Sequence, residues 1–269
     1  MTKNLALMIM KERVIAGRMI VIWPLLSIFI LFSTWGLSDP KITISGIVID
    51  SAYDVIFAST AFIIFSATMG AVLISFDGIS RDRISGVLEV KLSQPISRTR
   101  LAFAMMIGHW GAIVFPVLIL NLISLIIIHY RMGELPTASE IMLYYLATGM
   151  LLWWYTVIQL TASTWARDMG SSIAFGLGIW MIFTLLWLIL TTLVAGLSGI
   201  SVDDPNSSEY IRVGAIMDLF SPNGVYNLLT EIPLPNNRGL SSPLIFLSAA
   251  AWTILPPLVF IRRMKSLKP

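Results

Sequence analysis

The sequence contains no cysteine. That rules out disulfides, thiolate metal sites and thiol nucleophiles, and it says nothing about compartment. Charge is scarce too. Asp, Glu, Lys and Arg make up 12% of the 269 residues, against about 25% in a soluble domain. Water is therefore not the main solvent. Histidine occurs only at His109 and His129. On one helix these lie about 30 Å apart at about 1.5 Å per residue, too far to share a metal ion. No His-Glu pair at zinc-protease spacing and no Gly-rich loop ending in Gly-Lys-Ser/Thr is present. The chain is thus expected to hold no metal, to have no catalytic residues and to bind no ATP itself.

What remains is apolar. Hydrophobic residues make up 57%, mean hydropathy is +0.83, and nine Trp and seven Tyr suit the aromatic belts at bilayer headgroups. About 20 helical residues cross a hydrocarbon core. Six segments qualify: 19–37, 55–76, 101–128, 141–165, 172–197 and 243–261. Their runs are apolar on every face, which excludes the alternating strands of a membrane barrel. The fold class is therefore an all-α membrane protein, with 1–269 a single transmembrane domain. No internal repeat or soluble domain is evident.

Residues 1–18 do not read as a cleavable signal, because Lys11, Glu12, Arg13 and Arg18 interrupt the first apolar run. They read as an amphipathic N-terminal helix on the membrane surface, with Leu5, Met8, Val14 and Ile15 towards lipid. Lys and Arg set orientation. With both termini cytoplasmic, fourteen lie inside (residues 1–18, 77–100, Arg167 and the C-terminal four) and four outside (Lys41, Arg131, Arg212, Arg238). A multi-pass protein of the cell membrane is expected. The net charge of +3 is explained by this topology, with no nucleic-acid partner.

The external loop 198–242 has apolar stretches too short to span. Residues 211–232 read as two short re-entrant or interfacial helices, broken at Ser221-Pro222-Asn223-Gly224. Within the spans there is no Asp, Glu, Lys or Arg, which argues against proton-coupled carriers and voltage sensors. His109 reads as a packed polar residue. Gln159, Asn121, Thr156 and Thr161 read as interhelical hydrogen-bonding groups, and Gly170, Gly176 and Gly178 as sites of close helix approach. Asp203, Asp204 and Glu209 read as solvated loop acids.

The organising stretch is 77–100. It carries Arg81, Arg83, Lys91, Arg98 and Arg100 with Asp77, Asp82 and Glu89. Residues 83–93 fit a helix of about three turns, with Leu88 and Leu92 in one row. Pro95 ends it, and Ser97 caps the next span. By pattern alone, a helix docked on a soluble partner and a loop bound to lipid headgroups are both compatible with these residues.

Asp82-Arg83, Gly86-Val87-Leu88-Glu89 and Pro95-Ile96-Ser97-Arg98 resemble the first cytoplasmic loop of ABC transporter permeases of the type-2 exporter (ABC-2) family. That loop reads roughly Glu-Arg, two variable residues, Gly-Thr-Leu-Glu, a Leu pair, then Pro-Val-Ser-Arg. Asp82, Val87 and Lys91-Leu92 depart from it. Residues 162–170, a fifth span containing Trp180, and Ser221-Pro222 with Tyr226 are similar to the same family. The resemblance implies an exporter permease that forms the translocation pathway and couples to a separate ATP-binding subunit through 77–100. That partner carries ATP and Mg. It further implies a second permease chain, identical or not, and Arg83, Val87, Leu88, Glu89, Leu92, Pro95 and Arg98 as the partner-binding coupling helix. Arg83 and Arg98 would anchor the loop to phosphates or partner carboxylates. Charge-free spans suit lipids, amphipathic drugs or peptides as cargo, with membrane lipid as a further contact. The competing reading is an integral membrane enzyme, or an assembly subunit without transport.

Overall fold

The computed structural model of the chain describes residues 2–39, 49–235 and 237–267. Lys41 and Lys268, both used in the charge count above, lie outside the described residues. The helices are α1 (Thr2–Ile15), α2 (Met19–Leu37), α3 (Ala52–Ser75), α4 (Ser80–Ile84), α5 (Val87–Ser93), α6 (Arg98–Met132), α7 (Ala138–Trp165), α8 (Met169–Leu197), α9 (Ser208–Asp218), α10 (Pro222–Glu231) and α11 (Ser242–Ser266). No strand occurs among the described residues. Among the described residues six helices are long and apolar enough to cross a membrane: α2, α3 with its continuation through α4, α6, α7, α8 and α11. The chain is a multi-pass membrane protein.

Local chemistry sets where the helices begin and end. Capping boxes open α3 (Ser51 with Asp54), α7 (Thr137 with Glu140) and α8 (Asp168 with Ser171). Each satisfies amide donors that have no intrahelical acceptor. Ser97 accepts from the Arg100 amide at 3.4 Å to open α6, as its position before that span suggests. Helix α6 has 35 residues. At about 1.5 Å each it is about 52 Å long, well beyond a hydrocarbon core of about 30 Å. It is therefore long enough to tilt or to extend beyond the hydrocarbon core.

Helix α7 is the axis of the fold, packed by α3, α6, α8, α10 and α11. Trp154 and Tyr155 are its largest fully buried side chains. Lipid is as apolar as leucine, so close packing and interhelical hydrogen bonds hold such a bundle. Trp180 donates to Thr68 at 2.8 Å, Trp154 to Thr253 at 3.0 Å, Tyr144 to Asn121 at 3.2 Å, and Gln159 to the Ser172 carbonyl at 3.1 Å. Asn121 and Gln159 thus bridge helices as expected. Thr161 does not; it bonds back to Val157 in its own helix. Thr156 is buried with no protein partner among the described residues. Of the three glycines, only Gly176 is a close-approach site. A Cβ there would fall 1.7 Å from Gln159 Oε1, whereas Gly178 faces open space and Gly170 meets only Asp168 nearby.

The segment before the last span folds as two short helices. Ser221 caps α10 through the Gly224 amide at 3.3 Å, and Pro222 occupies the first turn, where no amide donor is needed. Gly224 belongs to the helix and not to the break. It is there because a Cβ would come within 2.4 Å of the Asp218 carbonyl oxygen. Nearly all of α10 is buried, against α7, α11, α3 and the wide turn 182–186 of α8. Tyr53 donates to the Thr230 carbonyl at 2.6 Å and Tyr155 to Asn223 at 2.9 Å. Asn223 in turn donates to the Phe183 carbonyl at 3.0 Å, inside that wide turn. Arg238 joins Asp218 (2.6 Å) to Glu231 (2.8 Å) and so ties α9 to α10. Burial alone would lower the Arg238 pKa, but the two carboxylates hold it above its ordinary value.

Helix α1 differs from the expectation. Its length lies along the N-terminal part of α6. Gly108 is the reason: a Cβ there would be 2.7 Å from Ile9 and 2.9 Å from the Ala6 carbonyl. Ala6 and Arg13 face inward. Met8 and Ile15 are exposed as expected, but Leu5 and Val14 pack on the bundle. Arg13, one of the charges that interrupt the first apolar run, is buried.

Candidate functional site

The connection between α3 and α6 lies at the end of the bundle where basic residues gather. It begins with Asp77, which is 2% exposed and sits just past the last turn of α3. Arg13 from α1 donates to its Oδ1. Arg18, at the start of α2, closes a fork on it: Nη2 to Oδ2 at 2.5 Å and Nη1 to Oδ1 at 3.1 Å. Arg18 also donates to the Leu73 carbonyl at 2.8 Å and lies 5.1 Å from the centre of the Phe76 ring. One carboxylate therefore joins α1, α2 and α3. Arg81 stands farther out, 3.8 Å from Glu12 and 3.9 Å from Asp77. The exposed Arg81–Glu12 pair, at that length, contributes little.

Helix α4 starts against α7. The Ile79 and Ser80 amides both donate to Ser163 Oγ at 3.0 Å. This is a cap supplied from another helix, and it satisfies two orphan donors. At its other end, Arg83 donates to the Thr164 carbonyl at 2.9 Å and to the Ala166 carbonyl. These belong to the C-terminus of α7, where carbonyls lack partners and the helix dipole favours a cation.

The single helix expected over 83–93 is broken. Gly86 has φ = +71°, the left-handed region, and separates α4 from α5. Glycine reaches that region without the Cβ clash that penalises other residues. Lys91 spans the break to Asp82 at 2.5 Å. Helix α5 turns Leu88 inward, 6% exposed, into a buried apolar cluster that includes Ile79, Leu101, Met105, Phe260 and Met264. Leu92 and Ile96 pack partly on the same cluster. The outer side is apolar as well: Val90 is 61% exposed, Ile84 55% and Val87 40%. Glu89 is exposed beside them, as is Pro95 beyond the helix. After Pro95 the chain enters α6, where Arg98 donates to the carbonyls of Met264 (3.4 Å), Lys265 (3.5 Å) and Leu267 at the end of α11.

The seven residues singled out in the sequence therefore fall into two sets. Val87, Glu89 and Pro95 face outward, with Leu92 half-buried. Leu88, Arg83 and Arg98 hold the segment to the spans. Sequence reasoning missed Val90 and Ile84. The spacing of Val87 and Val90, three apart, was the available signal. It also missed Ser163, 84 positions from Ile79, and the Arg13–Asp77–Arg18 cluster, whose arginines lie 64 and 59 positions from the carboxylate, with no local pattern to mark either.

The spans hold few reactive groups. His109 is buried on α6, with Nδ1 2.8 Å from the Met105 carbonyl. Among the described residues no three His, Asp or Glu converge as a metal-binding group. Asp203, Asp204 and Glu209 are exposed. Two apolar hollows lie along the spans. The larger, about 880 Å³, runs between α6 and α7 past Trp110, Tyr145 and Trp153; the other, about 550 Å³, lies along α11 beside Trp252.

Over residues 8–265 the sequence matches the family described as ABC-2 family transporter protein. No curated protein matches it.

Proposed function

The chain belongs to the ABC-2 family of transporter proteins, and from that premise we propose that it is the membrane-spanning permease subunit of an ATP-driven exporter. A separate cytosolic subunit binds ATP with magnesium. Two permease chains pair to enclose the pathway. The basic end faces the cytosol, in the cell membrane, in keeping with fourteen of 18 Lys and Arg falling on that side. The docking element is the outer face of α5, carried by the α4–α5 segment. ATP binding closes the partner subunits, moves the docked segment and favours one of two arrangements of the spans.

The observation that carries this reading is the outer face of α5. Val87 and Val90 are exposed outside the spans and flank Glu89, while Leu88 fixes the helix from beneath. A short helix with an apolar face and a charged edge suits a groove on a soluble protein. Lys91 is already paired with Asp82, so among the described residues Glu89 is the charge of the α5 outer face without an ion-pair partner. The α6–α7 and α11 hollows offer apolar surface to lipids or amphipathic cargo.

The test is co-purification in mild detergent. The tagged chain should bring down a subunit that hydrolyses MgATP. Val90→Asp places an unpaired charge in the docked interface, at a cost of about 3 kcal/mol, or about 100-fold in affinity. Capture should be lost while helix content is unchanged. Purification without any ATPase, or full capture by Val90→Asp, would end this reading.

A further inference from the structure

We infer that Arg83 and Arg98 transmit the motion of the docked segment to the fourth and sixth spans, by bonding the carbonyls left free at the C-termini of α7 and α11. This rests on the docking role proposed above. The connection is covalently continuous with α3 and α6 only. Helices α7 and α11 have no such link, yet both end beside it. Each is held by one arginine: Arg83 takes the Thr164 and Ala166 carbonyls, and Arg98 those of Met264, Lys265 and Leu267.

The choice of residue is physical. A helix C-terminus offers up to four carbonyls with no intrahelical donor. A guanidinium presents several donors in a rigid plane and can hold two carbonyls at once; a lysine ammonium is a flexible point charge. Arg83 uses both terminal nitrogens, a two-point hold that resists rotation as well as separation, whereas Arg98 reaches its three carbonyls through Nη1. The cation also sits at the negative end of the helix dipole. Neither arginine is on the outer face of α5, so loss of either should leave docking intact. Arg83 is a positioning residue for α7, and Arg98 for α11.

The chain has no cysteine, so cysteines introduced into it can be spin-labelled without background before the partner is added. Ser93 on α5, Ser139 at the far end of α7 and Ser241 before α11 are all exposed. Labelled pairs Ser93→Cys with Ser139→Cys, and Ser93→Cys with Ser241→Cys, report whether each span follows the docked segment. Pulsed EPR distances are measured on the complex with its ATP-binding subunit, nucleotide-free and trapped with MgATP and vanadate.

In the parent chain both distances should stay constant within about 2 Å, because rigidly clamped helices move as one body. Arg83→Gln should still capture the partner, but trapping should shift or broaden the Ser93–Ser139 distance alone. Arg98→Gln should do so for Ser93–Ser241 alone. Arg83→Lys and Arg98→Lys should give smaller changes, and they carry the same test if a glutamine variant does not assemble. Constant distances in every variant, changes in the parent chain, or loss of the crossed pattern would overturn the inference. Failure of the parent chain to capture any ATP-binding subunit would instead overturn the docking reading.

Discussion

Asp77→Asn removes one negative charge and almost no volume, so its effect isolates the ionic cluster. The carboxylate side chain is 3% exposed and faces Arg13, whose side chain is 8% exposed. Among the described residues Asp77 is the one ion-pair partner of Arg13, and Arg13 Nε is buried without an acceptor. Arg18 loses less. It is 23% exposed and keeps the Leu73 carbonyl and the Phe76 ring. Breaking a buried pair by deleting one partner costs about 3–5 kcal/mol, because the other charge remains buried. One of the two arginines retains other partners, so the lower part of that range, about 3 kcal/mol, is expected. The assay is reversible unfolding in detergent micelles, read by tryptophan fluorescence. A second readout is hydrogen exchange in residues 2–15, which should rise as α1 loosens from α6. Arg13→Gln combined with Asp77→Asn should recover at least about 1 kcal/mol relative to additivity, since the two groups are in contact. A loss below about 0.5 kcal/mol for Asp77→Asn, with additive behaviour in the double variant, would refute the assignment of this cluster as the joint between α1, α2 and α3.

Three further outcomes follow from single contacts. Gly224→Ala forces a Cβ against the Asp218 backbone at 2.4 Å, and should cost about 1–3 kcal/mol in the same unfolding assay. Gly86→Ala places a side chain in a left-handed turn that otherwise meets open space, so about 1–2 kcal/mol of local strain is expected, read as weaker ATPase capture at nearly unchanged global unfolding. Leu88→Asp puts a carboxylate into the cluster with Phe260 and Met264. Unlike Val90→Asp, it should lower stability by about 3 kcal/mol or more, seen as a lower denaturant midpoint in the isolated chain.

The parts of the fold visible in the sequence are those written locally. Hydropathy marks the six long helices because lipid demands continuous apolar runs. Ser221-Pro222 marks the start of α10, and Pro95 with Ser97 marks the step into α6. What stays hidden depends on distant partners. The inward face of α5 is chosen by Phe260 and Met264, more than 160 positions away, so Leu88 and Val90 look alike until α11 is in place. Arg13 looks like a surface cation. It is buried because Gly108 lets α1 approach α6 and because Asp77 waits there. Arg83 and Arg98 look like docking charges. Their carbonyl acceptors are backbone atoms, which carry no sequence signature.

A photo-reactive side chain at Val90 tests the central claim most directly. In intact membranes it should cross-link to the ATP-binding subunit, and Val90→Cys should be inert to a membrane-impermeant maleimide applied from outside the cell. Cross-linking to lipid alone, or maleimide labelling from outside, would contradict the account.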